Sequence, residues 1–402
     1  MFNNAITAAV LTAFVLSVPP SAAAMPGDGC DAARAAAKSS PAAYRAMLSA
    51  PDSSYCAIRA AGESRDEGAS GALLENVESY LAASALKGAY EDDLRARLKA
   101  LDSIWALGEI GNPRLMNKLS EFYAGADDVV KVNLLISMGK LKKNSKAGPY
   151  LFGVAASPAE SDIVRAAAFE LLDKVGHPST VINVQPSSRA GAEKGDLIYT
   201  GGIVGTISGW FNTMIPVGHA GIFAGTEIKD GRINVVIADC VPNNFKPGGV
   251  RNVRSFYDFT HHYMYPYYGN RTPKVRPTAA QREAIVSLAL DYGGRGLRYN
   301  NSHLSQKGPE EFDCVGYTEF IYERAGLNPT DDSYESGAGW PLTPYEQFEA
   351  TVSNAGAPAA IIIPVFRPLP DRGELISRDA GALMRAFGLA GEAVLPDIPA
   401  AE

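Results

Sequence analysis

Over residues 73–180, apolar residues recur with the spacing of amphipathic helices, and one helix follows another. Three of these helices end in similar stretches, which are centred on Gly108, Gly139 and Asp173 and separated by 31 and 34 residues. A period of this length is typical of stacked helical hairpins that bury their apolar faces against each other. The pattern therefore predicts an all-helical repeat domain in this part of the chain.

The pattern changes after a linker at residues 181–192, which is rich in small and polar residues. Short apolar runs then predict three strands, with the sequences DLIYTG, HAGIFAG and INVVIAD. An aromatic, polar loop comes next, followed by a helix over TAAQREAIVSLALDYGG and a second helix that opens with Cys314. A helical first half followed by strands and helices indicates an α+β chain.

Both ends of the chain differ from these two regions. Residues 1–24 have the apolar core and small-residue cleavage site of a secretory signal, although no Lys or Arg precedes the core. The alternative is an uncleaved membrane anchor, but the apolar run is short for a span and is interrupted by Pro19 and Pro20. We expect a secreted or periplasmic bacterial protein, with no transmembrane span in the mature chain. A polar leader at residues 25–72 follows the signal, and residues 351–402 form an extension with a strand and a last helix.

Composition and charge exclude some classes of partner. The 402 residues are 46% hydrophobic and 20% charged, which is ordinary for a globular chain long enough for two domains. The formal net charge is -7 without a large basic block, so we expect no nucleic-acid partner. We interpret the short run of Lys140, Lys142 and Lys143 as a solvated helix end. Paired Cys-x-x-Cys and His-Glu-x-x-His spacings are absent, so we expect neither a metal nor a cofactor.

The four cysteines fall into two groups. Cys30 and Cys56 lie close together in the leader, and in an oxidising compartment they could form a disulfide worth about 3 kcal/mol. Two unpaired thiols are the alternative. Cys240 and Cys314 lie far downstream, and we interpret Cys240 as a buried apolar thiol.

Cys314 is the main candidate for chemistry. It opens a segment with helical apolar spacing that stops at Gly326. Backbone N–H groups at the first turn of a helix are unpaired and lie at the positive end of the helix dipole. We expect this setting to lower the pKa of the thiol and to supply an oxyanion hole, so Cys314 is predicted to be a nucleophile.

A cysteine nucleophile needs a base, and His219 is the best placed of the five histidines. It begins a predicted strand and is flanked by Gly218 and Ala220, whose small size leaves room for another element to approach. Asp239 ends the next predicted strand, where its carboxylate could hold the imidazole in one tautomer. The alternatives are a structural histidine at a strand edge and an aspartate that caps a turn.

The residues around Cys314 resemble the cysteine motif of the NlpC-type cell-wall peptidases, which belong to the papain-like superfamily. The matching residues are Tyr299, Phe312, Asp313, Cys314, Gly316 and Gly326, and Val315 departs where the family usually has Ser. The histidine half of the motif is matched by Gly195, Asp196, Leu197, His219, Gly221 and Ile222. Because the histidine half comes first, the order resembles the circularly permuted branch, which includes lecithin retinol acyltransferase-like proteins and YiiX-like hydrolases.

This resemblance covers about residues 193–350 and implies a permuted papain-like domain with a small antiparallel sheet and packed helices. It implies Cys314 as nucleophile, His219 as base and a third polar residue near Asp239, where usual members have His, Asn or Gln. Tyr299 would lie beside the nucleophile and support the oxyanion, or would be a core aromatic residue. The repeats at residues 73–180 resemble a short HEAT-type array, which could be a spacer or a surface for a protein or polymer.

We therefore expect an exported cysteine hydrolase that cleaves an amide bond, and the resemblance points to peptidoglycan stem peptides as substrate. Two alternatives remain open. One is a hydrolase or acyltransferase acting on lipids or acyl chains, as in some permuted relatives. The other is a non-catalytic cell-envelope binding protein.

Overall fold

The structure is a computed structural model, and it describes residues 30–49, 54–87, 94–141, 144–177, 189–201, 217–301, 306–330 and 342–354, together with Val184 and Ser187. These residues form a mixed α+β fold, as the sequence predicts. The described α-helices are α1 Asp31–Ser39, α2 Pro41–Ser49, α3 Ser54–Ser64, α4 Ser70–Lys87, α5 Leu94–Ile110, α6 Met116–Ala124, α7 Asp128–Lys140, α8 Ala147–Ala156, α9 Asp162–Lys174, α10 Phe256–Phe259, α11 Ala279–Gly293, α12 Cys314–Arg324 and α13 Pro344–Ala350. The described strands are β1 Asp196–Thr200, β2 His219–Lys229, β3 Arg232–Val241, β4 Gly249–Val253, β5 Tyr267–Thr272, β6 Arg298–Tyr299, β7 Glu311–Phe312 and β8 Val352–Ser353.

Helices α5, α7 and α9 begin 34 residues apart, at positions 94, 128 and 162, and they pack side by side. The repeated glycines lie where these helices come closest. A Cβ on Gly108 of α5 would lie 2.8 Å from the Ser137 backbone of α7, and one on Gly139 of α7 would lie 2.7 Å from Leu171 of α9. The period in the sequence therefore reflects a real stacking of helices.

The polar leader also contains helices. Helices α1, α2 and α3 pack together, and the Cys30–Cys56 disulfide predicted as one of two alternatives is present. Tyr44 and Leu48 of α2 are buried in the same continuous core as the repeat helices. The leader is thus an extension of the helical region and not a separate polar segment.

The sheet has the order β4-β3-β2-β1-β5-β8, and every neighbouring pair of strands is antiparallel. Strands β1, β2 and β3 are the three that the sequence predicts. Helices α11 and α12 pack against β2 and β3, so the helix that opens with Cys314 lies on the strands that carry His219 and Asp239. A separate two-stranded parallel pair, β6 and β7, precedes α12.

The helical region and the sheet share polar contacts as well as a core. Asn133 of α7 donates to the Tyr267 carbonyl at 2.6 Å and accepts from the Tyr267 N–H at 3.0 Å. Tyr268 donates to the Asp102 carboxylate of α5 at 2.5 Å. One core cluster runs through both regions, so we expect them to unfold as one unit.

Several predicted segments lie outside the described residues. They are the signal at 1–24, half of the linker at 181–192 and nearly all of the extension at 351–402, of which only 351–354 is described. Within the part of the chain that the structure describes, no helix combines the length and the apolar character needed to cross a membrane.

Replacing Asn133 with Ala tests the contact between the two regions. The change leaves the buried N–H and carbonyl of Tyr267 without their side-chain partner, which we expect to lower the free energy of unfolding by roughly 2–4 kcal/mol. Urea unfolding followed by circular dichroism measures the loss. The exposed Asn117→Ala is the matched control and should change stability by less than about 0.5 kcal/mol. A change of that small size in Asn133→Ala would show that the contact does not hold the regions together.

Asp102 gives the interface a pH dependence. Burial raises the pKa of Asp102 to about 7, although the hydrogen bond from Tyr268 and the charge of Arg59 both lower it. The folded state therefore keeps a proton that the unfolded chain loses above about pH 4, so stability falls as pH rises from about 4 to about 7.

Asp102→Asn removes this ionisation, and at pH 8 we expect it to be more stable than the wild type by roughly 2–4 kcal/mol. Thermal unfolding at pH 5 and pH 8 measures the difference. Asp31→Asn, which alters a largely exposed carboxylate, is the control and should leave the pH dependence unchanged. Equal pH dependence in Asp102→Asn and the wild type would contradict the assignment.

Candidate active site

Cys314 is the first residue of α12, as the sequence predicts. Asp313 caps the helix, because its carboxylate accepts the Gly316 N–H at 2.7 Å. The same carboxylate accepts from the Gln306 amide at 2.5 Å. Gly316 is required here, since a Cβ at that position would lie 2.1 Å from the Gln306 carbonyl oxygen. The preceding loop is therefore pressed onto the first turn, and this contact fixes the position of Cys314.

The thiol of Cys314 is in a different electrostatic state from the one the sequence predicts. The side chain is only 6% exposed, and burial, together with the neighbouring Asp313 carboxylate, raises the pKa of the thiol. The N–H groups of Ala220 and Val315 face the sulfur and lower the pKa, but their effect is smaller. The expectation of a lowered pKa is thus wrong for this structure: burial outweighs the helix N-terminus, and the resting form is the protonated thiol.

His219 lies at the start of β2 and is 4% exposed. Its ring reaches Asp239 because Gly221, two residues further on the same strand, pairs directly with Asp239 of β3. A Cβ on Gly221 would lie 3.0 Å from the Ala238 carbonyl and 3.2 Å from Asp239 Cβ, so the small residue lets the strands and side chains approach. His219 Nε2 is 2.9 Å from Asp239 Oδ2.

Arg251 of β4 anchors the carboxylate of Asp239 from the other side. Its Nε donates to Oδ1 at 2.8 Å and its Nη2 to Oδ2 at 3.1 Å, and the two residues are direct partners in the β3–β4 register. Burial alone would raise the pKa of Asp239, but Arg251 and the hydrogen bond from His219 together lower it to about 2. Asp239 is therefore an anion with a fixed position.

An anionic Asp239 decides the tautomer of His219. A carboxylate only accepts hydrogen bonds, so Nε2 carries the proton and Nδ1 is the basic nitrogen of the neutral ring.

The Cys314 sulfur lies against the N–H of Ala220, the residue next to His219. Among the described residues, the structure has no hydrogen bond between the Cys314 thiol and the His219 ring. The fold thus places the Cys314 sulfur beside the residue that follows His219, whose ring is paired with Asp239.

The other predicted residues lie around this group. Tyr299 is buried in β6, and burial, with Cys314 as a neighbouring acidic group, raises its pKa. Its role as oxyanion support remains a prediction. Cys240 is buried and free, as predicted, and its thiol donates to the Phe312 carbonyl at 3.3 Å. Val315, which departs from the family pattern, is buried in the first turn of α12.

Two further residues of this site were not predicted. Arg251 is one, and His261 is the other, since its ring centroid lies 5.1 Å from that of His219. The sequence feature that could have pointed to Arg251 is its position as a charged residue in the short apolar segment GVRNV. Within the described residues there is no cluster of three or more His, Cys, Asp or Glu side chains that could hold a metal ion.

Comparisons of the chain with models of protein families, with curated proteins and with solved structures found no match. The geometry of the site and the residues that resemble the NlpC-type motif are therefore the features that bear on function.

Asp239→Asn tests the anchoring of the imidazole. The change leaves the buried Arg251 without an anionic partner, which we expect to cost about 3–5 kcal/mol of stability at pH 7. Because the folded-state pKa of Asp239 is lowered from 3.8 to about 2, the wild type should lose about 2 kcal/mol as pH falls from about 4 to about 2.

Asp239→Asn has no carboxylate to protonate at this position, so we expect it not to show this loss of unfolding free energy at low pH. Urea unfolding at several pH values between 2 and 7 measures both effects. Asp230→Asn is the matched control, because Asp230 is exposed in the β2–β3 turn and its left-handed backbone suits Asn. Should the two variants have equal stability at pH 7, Asp239 would not be the anchor of the site.

Proposed function

We propose that the chain is an exported cysteine hydrolase that cleaves an amide bond. One observation carries the proposal: His219 Nε2 is held by a buried carboxylate at 2.9 Å, and the N–H of the next residue, Ala220, faces the sulfur of Cys314 at the first turn of a helix. This arrangement leaves Nδ1 of His219 to act as base toward the sulfur of Cys314. The resemblance of Cys314 and His219, with the residues around them, to the NlpC-type motif also supports the assignment, and Asp239 stands where usual members have His, Asn or Gln.

The reaction follows from the positions of these groups. His219 Nδ1 takes the proton of the Cys314 thiol as the sulfur attacks the carbonyl carbon, and backbone N–H groups of the first turn of α12 stabilise the oxyanion. The imidazolium then gives its proton to the departing amine, which leaves a thioester. His219 next deprotonates a water molecule, which attacks the thioester, and the returning proton restores the thiol.

The class of substrate rests on resemblance and not on the geometry. Peptides of the cell wall fit an exported member of the NlpC-type group, so we propose peptidoglycan stem peptides as the substrate. The helical region would then be a fixed part of the catalytic unit, since it shares a core with the sheet.

A second candidate is a non-catalytic binding protein of the cell envelope. The observation in its favour is the burial of Cys314, which keeps the thiol protonated in the resting structure. Catalysis requires His219 to remove that proton within the site, whereas a binding protein would not need this step.

Cys314→Ala and Cys240→Ala form a matched pair that separates these candidates. Both cysteines are buried and free, and Cys240 lies nearby without a role in the proposed chemistry. Purified peptidoglycan is digested with each protein, and the released fragments are identified by mass spectrometry. We expect cleavage by the wild type and by Cys240→Ala, and a loss of at least about a thousandfold in Cys314→Ala.

Thermal unfolding of the three proteins is the control for folding. Cleavage by Cys314→Ala at the wild-type rate would refute the nucleophile. Absence of cleavage by the folded wild type, together with binding to peptidoglycan, would favour the binding protein. Hydrolysis of acyl esters or lipids without cleavage of peptidoglycan would indicate that the protein is an acyl-chain hydrolase instead.

A further inference from the structure

His261 is a second imidazole beside the proposed base. Its ring packs edge-on against His219 with centroids 5.1 Å apart, and against Phe245 and Tyr265 at 4.8 and 5.7 Å. The residue is 4% exposed. It lies in the loop between α10 and β5, which the sequence marks only as aromatic and polar.

The ring of His261 has an unused hydrogen-bonding atom. Its Nδ1 is buried and has no hydrogen-bond partner. A buried polar atom without a partner costs free energy, and such atoms are rare in folded proteins. A site that binds a ligand has a reason to keep one, because the ligand can supply the missing partner.

The backbone that presents this ring is strained. His261, His262 and Tyr263 have φ angles of 52°, 65° and 58°, so three successive residues other than glycine adopt the left-handed conformation. Such conformations persist only where surrounding contacts enforce them, and they are concentrated at functional sites.

The helical region supplies those contacts. Glu170 of α9 accepts the N–H groups of Phe256 and Tyr257 at 2.9 and 2.8 Å and also the Tyr263 hydroxyl. Lys140 of α7 donates to the Tyr263 carbonyl at 2.7 Å, so it is bound in the interface and is not the solvated helix end that the sequence suggests. Two repeat helices thus hold the turn that places His261 beside His219.

Charge limits what this ring can bind. Burial, and then the neighbouring His219 ring, lower the pKa of His261 to about 3; Arg251 and His262 act in the same direction, and Asp239 opposes them. The ring is therefore neutral, with one nitrogen that donates and one that accepts. A carboxylate would pair best with a protonated ring, whereas an uncharged amide offers a matching donor and acceptor.

We propose that His261 is a substrate-binding residue of the active site, whose Nδ1 forms a hydrogen bond with an uncharged amide group of the substrate beside His219. This inference rests on the proposed function and deepens it by naming a further residue that contacts the substrate. It also gives the helical region a role, since Glu170 and Lys140 position that residue.

The rate at which Cys314 is labelled tests the inference without a known substrate. Three reagents are used: iodoacetamide, which carries an uncharged amide; iodoacetate, which carries a carboxylate; and methyl methanethiosulfonate, which carries neither. In His261→Phe, which keeps an aromatic ring but has no nitrogen, we expect iodoacetamide labelling to fall roughly threefold to tenfold, the effect of one hydrogen bond. Labelling by the other two reagents should stay within about twofold of the wild type.

The control variants separate binding from packing. His262→Asn changes the exposed neighbour at a left-handed position that Asn tolerates, and all three rates should be unchanged. His261→Asn keeps the left-handed backbone accessible if the Phe variant does not fold, and its shorter side chain should give the same selective loss. Peptide mass spectrometry distinguishes Cys314 from Cys240, and circular dichroism reports folding.

The outcomes distinguish failure of the inference about His261 alone from failure of the proposed function. If the iodoacetamide rate relative to the methanethiosulfonate rate is unchanged in folded His261 variants, His261 is a packing residue and the inference fails alone. An equal loss with iodoacetate would overturn the preference for an uncharged group. If no reagent labels Cys314 in the native wild type but all label it after unfolding, the proposed function fails and the inference fails with it.

Discussion

The pair formed by Asp239 and Arg251 is the constraint on which the candidate site depends. Both residues are buried on neighbouring strands, and each offsets part of the free-energy cost of burying the other's charge. Their geometry fixes one carboxylate oxygen 2.9 Å from His219 Nε2 and so sets which nitrogen of the ring is basic. Without Arg251, burial would favour a protonated Asp239, which could not hold the imidazole in the same way.

The position of the His219 ring relative to Cys314 depends on longer-range contacts. Cys314 is placed by the cap of α12 and by the loop pressed onto Gly316, whereas His219 is placed by the β2–β3 register. The loop that carries His261 is held by α7 and α9 of the helical region. Elements from both halves of the chain, which share one core, therefore determine the positions of the side chains in this site.

Local patterns in the sequence predicted the elements well but not their environment. The helix at Cys314, the strands at His219 and Asp239 and the repeat near Gly108 follow from spacing, because helices and strands impose fixed periods on apolar residues. Arg251 and His261 could not be found in this way. Arg251 is defined by its partner twelve residues earlier on another strand, and His261 by a left-handed turn that distant Glu170 and Lys140 stabilise. The lowered pKa expected for Cys314 was wrong for a related reason, since exposure cannot be read from a local pattern.

The protonation state of Cys314 shows that burial affects the pKa of the thiol more strongly than the helix N-terminus does. A helix N-terminus stabilises an adjacent anion by about 0.3–1 kcal/mol, whereas full burial of a charged group shifts its pKa by as much as 3–5 units, or about 4–7 kcal/mol. A buried thiolate is therefore unfavourable until a positive charge forms beside it. His219 can supply that charge, because the proton that leaves the sulfur creates an imidazolium next to the Asp239 anion. In the proposed reaction the carboxylate would thus stabilise the thiolate–imidazolium state, and a buried cysteine with a raised pKa would be compatible with catalysis because Asp239 is an anion in the folded protein.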